Sequence, residues 1–321
     1  MMTLSKIAKL AHVSVSTVSK AFSGSSEVNE NTRERIFKIA KQHNCFKKYY
    51  NAKYSKYVIA VICPEFISGY YSPYFSLLHD ELSKFNCEIC VAATDFSKEK
   101  EEELLEYYTK YSTVDGIIIV NPVSGLDLDV KIPIAIIGSS VKKDEFISIK
   151  NNLTVELTKA VKYFKENGVK NIGYIGENLT IGKFNYFKNA MDNEKIEINT
   201  DFISITNERF EKGGYLAMEE LFKRNSLPRA VVCAYDNMAL GAMRSIFEHG
   251  LRIPDDIAVL GIDDNKESEY MTPSLSSIKF RIDLACKIAA QQIMNKITDN
   301  PVTYENVVPY ELKLRESTQI N

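Results

Sequence analysis

Residues 4–22 read LSKIAKLAHVSVSTVSKAF, and this stretch decides how the front of the chain folds. Apolar positions recur at helical spacing in Leu4, Ile7, Ala8 and Ala11, stop, and resume at Val15, Val18 and Phe22 after Ser14, a residue that caps helices well. Two short helices meeting at a tight turn are expected. Ala8 is small enough for close approach and Val13 and Val18 fill the gap between the helices, the pattern of a helix-turn-helix. His12 stands at the turn in place of the more usual glycine, and histidine is among the residues that tolerate positive φ. A third helix follows its cap Asn29, with Ile36, Ile39 and Ala40 on the buried side. So small a unit has a thin core, and its presence beside a long chain points to contact with a partner.

Charge supports that reading. The whole chain of 321 residues carries a net charge of −2, but Met1–Lys56 holds eleven Lys or Arg against three acids, a net +8, and the rest holds 29 basic and 39 acidic side chains, a net −10. A small basic head on an acidic body suits polyanion binding through the head. A solvated basic surface, or a bundle that docks protein, is the plainer alternative. If the head reads DNA, the second helix enters the major groove with Val15, Ser16 and Lys20 toward base edges. Lys20 would reach guanine O6 and N7, without the planar fork that sharpens arginine's discrimination. Ser14, Thr17, Ser19 and the start of the first helix at Thr3, Leu4 and Ser5 would hold phosphates, with Asn29 at the start of the third helix in the same DNA-facing set.

From Tyr57 onward, short apolar runs alternate with amphipathic stretches. The runs are Val58–Cys63, Glu88–Ala93, Gly116–Val120 and Ile134–Ile137, then Asn171–Ile175, Phe202–Ile205, Ala230–Ala234 and Ile257–Gly261. Continuous apolar strands separated by helices mean parallel sheets covered on both faces, and two sets mean two α/β lobes with a small-molecule cleft between them. Ser276–Arg281 and Val307–Leu314 read as further strands able to cross back between lobes.

Searches for catalytic or cofactor chemistry return negatives. Histidines 12, 43, 79 and 249 have no metal-ligand spacing, and Cys87-x-x-Cys90 falls on a strand that sends the two thiols to opposite faces, so no metal is expected. The six cysteines mostly sit in apolar runs and read as reduced core thiols. No P-loop, complete dinucleotide fingerprint or nucleophile elbow appears, so no cofactor and no enzymatic activity are expected. There is no membrane-length apolar run and no signal peptide, which places the chain in the cytoplasm and away from membranes. Asp236, Asp263 and Asp264 follow strand ends, where ligands bind in such folds and where carboxylates also cap helices.

The chain resembles the lactose-repressor (LacI/GalR) family of bacterial transcription regulators over nearly its whole length. The head carries the likeness in Val13-Ser14-Val15-Ser16-Thr17-Val18-Ser19-Lys20 and Val28-Asn29-Glu30-Asn31-Thr32-Arg33-Glu34-Arg35. The body carries it in Ser72-Pro73-Tyr74-Phe75, Val114-Asp115-Gly116-Ile117, Tyr235-Asp236-Asn237-Met238-Ala239-Leu240-Gly241, Ile253-Pro254-Asp255-Asp256-Ile257 and Gly261-Ile262-Asp263-Asp264. The resemblance implies an α/β protein: a three-helix helix-turn-helix headpiece over residues 1–46, a basic hinge over 47–57, and a two-lobed effector and dimerisation domain of the periplasmic-binding-protein type over 58–318. Lobe one would take about 58–149 and 280–306, lobe two about 150–277 and 307–318. It implies a homodimeric repressor on palindromic operator DNA, controlled by a sugar or sugar derivative in the cleft.

Three departures from the family pattern bear on that picture. The stretch before the body lacks the usual proline and is about three residues short, with Tyr54 near the position of the family's minor-groove wedge. The aspartate common after the Ile-Pro strand is Gly138, followed by Ser139 and Ser140, so a sugar-hydroxyl acceptor is missing. Tyr235 replaces an asparagine and Lys183 an arginine that often holds ligand. The resulting effector set is Tyr74, Phe75, Ser139, Lys183, Arg209, Tyr235, Asp236 and Asp263, able to stack a ring face and to pair with hydroxyls or an anionic group. Other readings are a transport-type solute-binding protein, a regulator controlled by a partner protein, and, because fold alone never excludes it, an enzyme.

Overall fold

The computed structural model describes residues 2–43, 45–46, 56–112, 114–125, 132–138, 146–300 and 306–320. The chain packs as two compact units, Met1–Lys150 with Asp283–Asn306 and Asn151–Ile282 with Val307–Asn321.

The first unit begins with the helical head: α1 (Leu4–Leu10), α2 (Val15–Phe22) and α3 (Glu30–Gln42). Each starts on a side-chain cap from the residue before it, Thr3, Ser14 and Asn29, which accepts an otherwise orphaned helix N–H. His12 sits in the turn at φ +52°, as its place in the sequence requires, and the Val13 N–H donates back to the Ala8 carbonyl at 3.0 Å. Ile7, Ala8, Ala11, Val18 and Ile36 are buried, and Val13 and Ile39 pack partly buried against them. The core is fuller than three small helices suggest: Phe22, Phe37 and Phe46 form a ring cluster with centroids 4.9–5.9 Å apart.

The rest of this unit is a five-stranded parallel sheet, built from β1 (Tyr57–Cys63), β2 (Cys87–Ala93), β3 (Gly116–Val120), β4 (Ile134–Ile137) and β5 (Ile147–Ile149) in the order β2-β1-β3-β4-β5. The first four coincide with the apolar runs to within a residue. β5 has no such run because only Ile147, Ser148 and Ile149 pair with β4. Helices α4 (Ser72–Ser83) and α5 (Lys98–Glu106) connect the early strands.

The second unit alternates α6 (Leu153–Glu166), β6 (Ile172–Glu177), α7 (Gly182–Asn193), β7 (Ile203–Thr206), α8 (Phe210–Phe222), β8 (Ala230–Cys233), α9 (Asp236–Glu248), β9 (Ala258–Ile262) and β10 (Ser276–Phe280). After helix α10 (Ile282–Ile297), β11 (Tyr310–Lys313) completes a sheet ordered β11-β10-β9-β8-β6-β7. Both late strands belong to this unit: β10 runs parallel to β9, and β11 pairs antiparallel with β10, Phe280 facing Tyr310. The segment that returns to the first unit is therefore a helix. α8 and α9 touch closely enough that a Cβ on Gly241 would run into the Glu211 carbonyl oxygen, which is why glycine stands there.

Candidate functional site

The head's outward residues fall into two kinds. Val15, 46% exposed, is an apolar side chain left in solvent at the start of α2, with Ser16, Ser19 and Lys20 exposed on the same helix. Serine 14 and threonine 17 are partly spent on the fold: Ser14 Oγ accepts the Thr17 N–H at 3.0 Å and shares a hydrogen bond with Thr17 Oγ1 at 2.8 Å. Thr3 and Asn29 are engaged in the same way, accepting from Lys6 and Asn31. Ser5 is exposed, and the Leu4 side chain packs partly buried on the head's core, leaving its backbone N–H at the start of α1. Lys20 Nζ lies 2.5 Å from Glu27 Oε2, an exposed ion pair. Tyr54 and the basic hinge before Lys56 lie outside the described residues.

In the second unit, the residues expected at the effector site gather at the carboxyl ends of the strands. Lys183, in the first turn of α7, donates to the Ala234 carbonyl at 2.9 Å and to Asp263 Oδ1 at 3.0 Å, with its ammonium 5.8 Å from the Tyr235 ring centre. Arg209 stacks on Phe210 at 4.4 Å and directs Nε to the Glu177 carboxylate at 3.3 Å. Tyr235 is nearly buried and its hydroxyl accepts the Phe210 N–H at 2.9 Å, serving as a cap for α8. Asp263 follows β9 at φ +105° and Asp264 at φ +53°, backbone strain of the kind kept where a side chain must be aimed. Burial pushes the Asp263 carboxyl up, against the pull of the Lys183 charge and hydrogen bond.

Two expectations are corrected. Asp236 is fully buried and touches no surface. Its carboxylate accepts from Ser277 Oγ at 2.6 Å, Ser268 Oγ at 2.7 Å and the Asn265 N–H at 2.7 Å, so it ties the loop after β9 to the start of α9. Burial, and then the nearby Asp263 charge, raise its pKa to about 7 against those three bonds. Tyr74 is likewise fully buried, its hydroxyl donating to Tyr70 at 3.1 Å, because helical spacing turns it inward with Leu78 and Leu82. Phe75 is half-buried and meets Phe66 edge-on at 5.0 Å. Ser139 lies outside the described residues.

The first unit has, at the ends of its own strands, polar groups that the sequence did not single out. Asn121, just past β3, directs Nδ2 to the hydroxyls of Tyr71 at 3.3 Å and Tyr70 at 3.4 Å. A Cβ on Gly138, at φ +90°, would collide with the Asn121 amide oxygen. The side chain lost at position 138 is thus matched by an amide that occupies its space. Glu177 was also missed, although it ends the run Tyr174-Ile175-Gly176-Glu177, and a carboxylate closing an apolar strand is a usable signal. Among the described residues, no group of three His, Cys, Asp or Glu is placed to hold a metal.

Comparison with known proteins adds the following. Residues 3–46 match the family model described as bacterial regulatory proteins, lacI family, and residues 161–318 match that of a periplasmic binding protein-like domain. The chain is 28% identical to a Bacillus subtilis protein named probable HTH-type transcriptional repressor ExuR, covering 99% of each, and 26% identical to the Haemophilus influenzae ribose operon repressor, covering 96% of each. Among solved structures, a lac repressor dimer bound to operator and the anti-inducer ONPF superposes with a TM-score of 0.71 at 21% identity, covering 99% of each chain. A complex of the transcriptional regulator CelR with cellobiose gives 0.69 at 23% identity, covering 99% of this chain and all of that one. At those identities the structural likeness speaks to fold.

Proposed function

We propose that the chain, which carries a lacI-family DNA-binding region and a periplasmic-binding-protein-like domain, is a transcriptional repressor that reads a palindromic operator through α2 and answers to a sugar or sugar derivative held at the carboxyl ends of the second unit's strands. The observation that carries the DNA reading is the outward face of α2, where Val15, Ser16 and Lys20 stand exposed within a segment, Met1–Lys56, of net charge +8. Val15 offers a methyl surface to thymine and Lys20 a charged donor to guanine. Thr3, Ser5, Ser14, Thr17 and Asn29 surround the starts of the three helices, whose positive ends favour phosphate, and Ser19 is exposed one turn into α2. Lys20 must first leave Glu27, an exposed pair worth about 0.2–1 kcal/mol, so the exchange costs little.

A palindrome requires two heads one helical turn apart, hence a dimer. Support comes from α8 and α9, which leave Leu216, Leu240 and Phe247 about two-fifths exposed, with Tyr270, 80% exposed, on the same unit. Leu216 and Leu240 line one surface hollow and Leu240 and Tyr270 the next, a continuous apolar exposure of the kind that marks an interface. Ligand occupancy need alter operator affinity only modestly: a coupling of about 1–3 kcal/mol is a change of some 5- to 150-fold. The work is done in the cytoplasm, where the operator is. A transport-type binder has no use for the lacI-type head.

The test is a titration of a palindromic operator at rising salt. A steep negative log–log slope is expected, Lys20→Ala should relax base choice at one position of each half-site, and a flat salt response would defeat the reading.

A further inference from the structure

Residues 263–270 run from the effector end of the second sheet to the apolar face offered to a second copy. Asp263 and Asp264 leave β9 with left-handed backbones, at φ +105° and +53°, and a short 3-10 turn over Lys266–Tyr270 ends on Tyr270, 80% exposed. Left-handed backbone at two consecutive non-glycine residues fixes the direction in which the segment leaves the sheet.

One carboxylate holds that segment down. Asp236, fully buried at the first position of α9, accepts the Asn265 N–H and the Ser268 hydroxyl on a single oxygen, each at 2.7 Å. Its other oxygen accepts from Ser277 Oγ on β10, and Ser277 Oγ in turn accepts the Asp264 N–H at 3.0 Å. Gly261 lets the carboxylate lie against β9, since a Cβ there would come within 2.1 Å of Oδ1. Side-chain amides continue the line outward: Asn265 Nδ2 donates to Asn237 at 3.0 Å, and Asn237 Nδ2 donates to Glu211 at 2.6 Å. Glu211 lines the hollow that holds Leu216 and Leu240, and Leu240 and Tyr270 line the next. Both hollows of the apolar face thus take their position from Asp236. Ser268 has no exposed surface, so it touches no second copy itself and acts on association only through where it puts Tyr270.

The charged surroundings of Asp236 tie the same pin to the effector end. Burial, and then the Asp263 charge, bring its pKa to about 7. Cys233 faces it from β8 with a thiol that burial keeps well above the ordinary range, Lys183 of α7 bonds to Asp263, and Asp264 turns to Arg315 at 2.7 Å and Lys279 at 3.6 Å. Removing the Asp263 charge therefore leaves Asp236 ionised at neutral pH. Bonds from Asn265 and Ser268 to an ionised acceptor are roughly twice as strong as those to a neutral one.

We propose that residues 263–270 are a coupling element, in which the charge at Asp263 sets, through the bonds of Asp236 to Asn265 and Ser268, how firmly Tyr270 is held beside Leu240 and hence how tightly two copies associate. Asp236 and Ser268 are positioning residues in this scheme. The inference rests on the effector and dimer readings above and adds the route between them. Its sign follows from the bonds: neutralising Asp263 tightens the pair, and protonating Asp236 loosens it.

The experiment is sedimentation equilibrium of the full chain between pH 6 and pH 8, with melting temperature and far-ultraviolet circular dichroism of every variant as controls on folding. Association of the unaltered chain should tighten about 3- to 10-fold from pH 6 to pH 8, and Asp236→Asn should show no such response. Ser268→Ala should weaken association by about the same factor at pH 8 although its side chain is buried, with Asn265→Ala as its substitute if the first fails to fold. Asp263→Asn should tighten association at pH 7 and move the pH response lower. A response that persists in Asp236→Asn, or association unchanged in folded Ser268→Ala or Asp263→Asn, overturns the coupling and leaves the apolar face standing. If the folded, unaltered chain stays monomeric at tens of micromolar at every pH, the dimer reading falls and the coupling with it.

Discussion

The helical head and the site end of the second unit satisfy their backbone donors in opposite ways. In the head, Thr3, Ser14 and Asn29 each accept an N–H two or three residues along the chain. At the site end, the Phe210 N–H goes to Tyr235, 25 residues away, and the Asn265 N–H to Asp236, 29 residues away. Local capping leaves each head helix nearly self-contained, with its polar face free for a polyanion. Distant capping locks loops from several βα units into one arrangement, which is what a preformed ligand site requires. The contrast predicts large, cooperative effects of substitution at the site end and small, additive ones in the head.

The largest effect should come from Asp236→Ala, which strands three buried donors. Urea unfolding should show a loss of about 3–5 kcal/mol, the cost of breaking a buried charged network, and a loss below about 1 kcal/mol would break the comparison. The same residue gives a pH signature. Its folded pKa of about 7 lies above the ordinary 3.8, so its protonated form is favoured by folding. That stabilisation is complete below the unfolded pKa and is lost as pH rises through 7; Asp263, also raised, acts in the same direction. Melting temperature should therefore be higher at pH 5.5 than at pH 7.5, and Asp236→Asn should flatten the difference.

Smaller effects sharpen the other side. Tyr270→Asp should weaken self-association in sedimentation and lower operator affinity together, with the head's helical content unchanged. Ser14→Ala should cost about 1 kcal/mol of head stability, the ordinary worth of a cap, with additional loss of operator affinity only if the hydroxyl also meets phosphate. Smallest of all, Glu27→Gln frees Lys20 and should tighten operator binding by no more than the 0.2–1 kcal/mol or so of an exposed pair, measured at low salt. An effect well beyond that would mean Glu27 itself stands close to the phosphates.

Legibility followed the range of the interactions. The His12 turn, the Ser14 and Asn29 caps and four strands of the first sheet could be read because periodicity and capping act over a few residues; the Thr3 cap was not. β5 was invisible, since three residues with Ser148 in the middle carry no pattern. Lys183, Arg209, Tyr235 and Asp263 fall just beyond strand ends of the second sheet, as the pattern of apolar runs predicts, but that pattern does not tell which way neighbouring side chains turn. Tyr74 and Asp236 were expected at the ligand and are buried, whereas Asn121 and Glu177, unremarked in the sequence, stand at strand ends, each in its own unit.

What the amino-acid sequence determined by itself is the order of elements and the basic head, because apolar period, capping residues and net charge are local or summed quantities, and the family resemblance, because its motifs are short runs of the chain. Only the tertiary structure decided which partner each charge takes: that Asp263 lies beneath Lys183, Glu177 beneath Arg209, and Asp236 among Ser268, Ser277 and Asn265. Those pairings join residues 29 to 80 positions apart, and a contact of that span is fixed by how strands and helices stack, which no window of sequence contains.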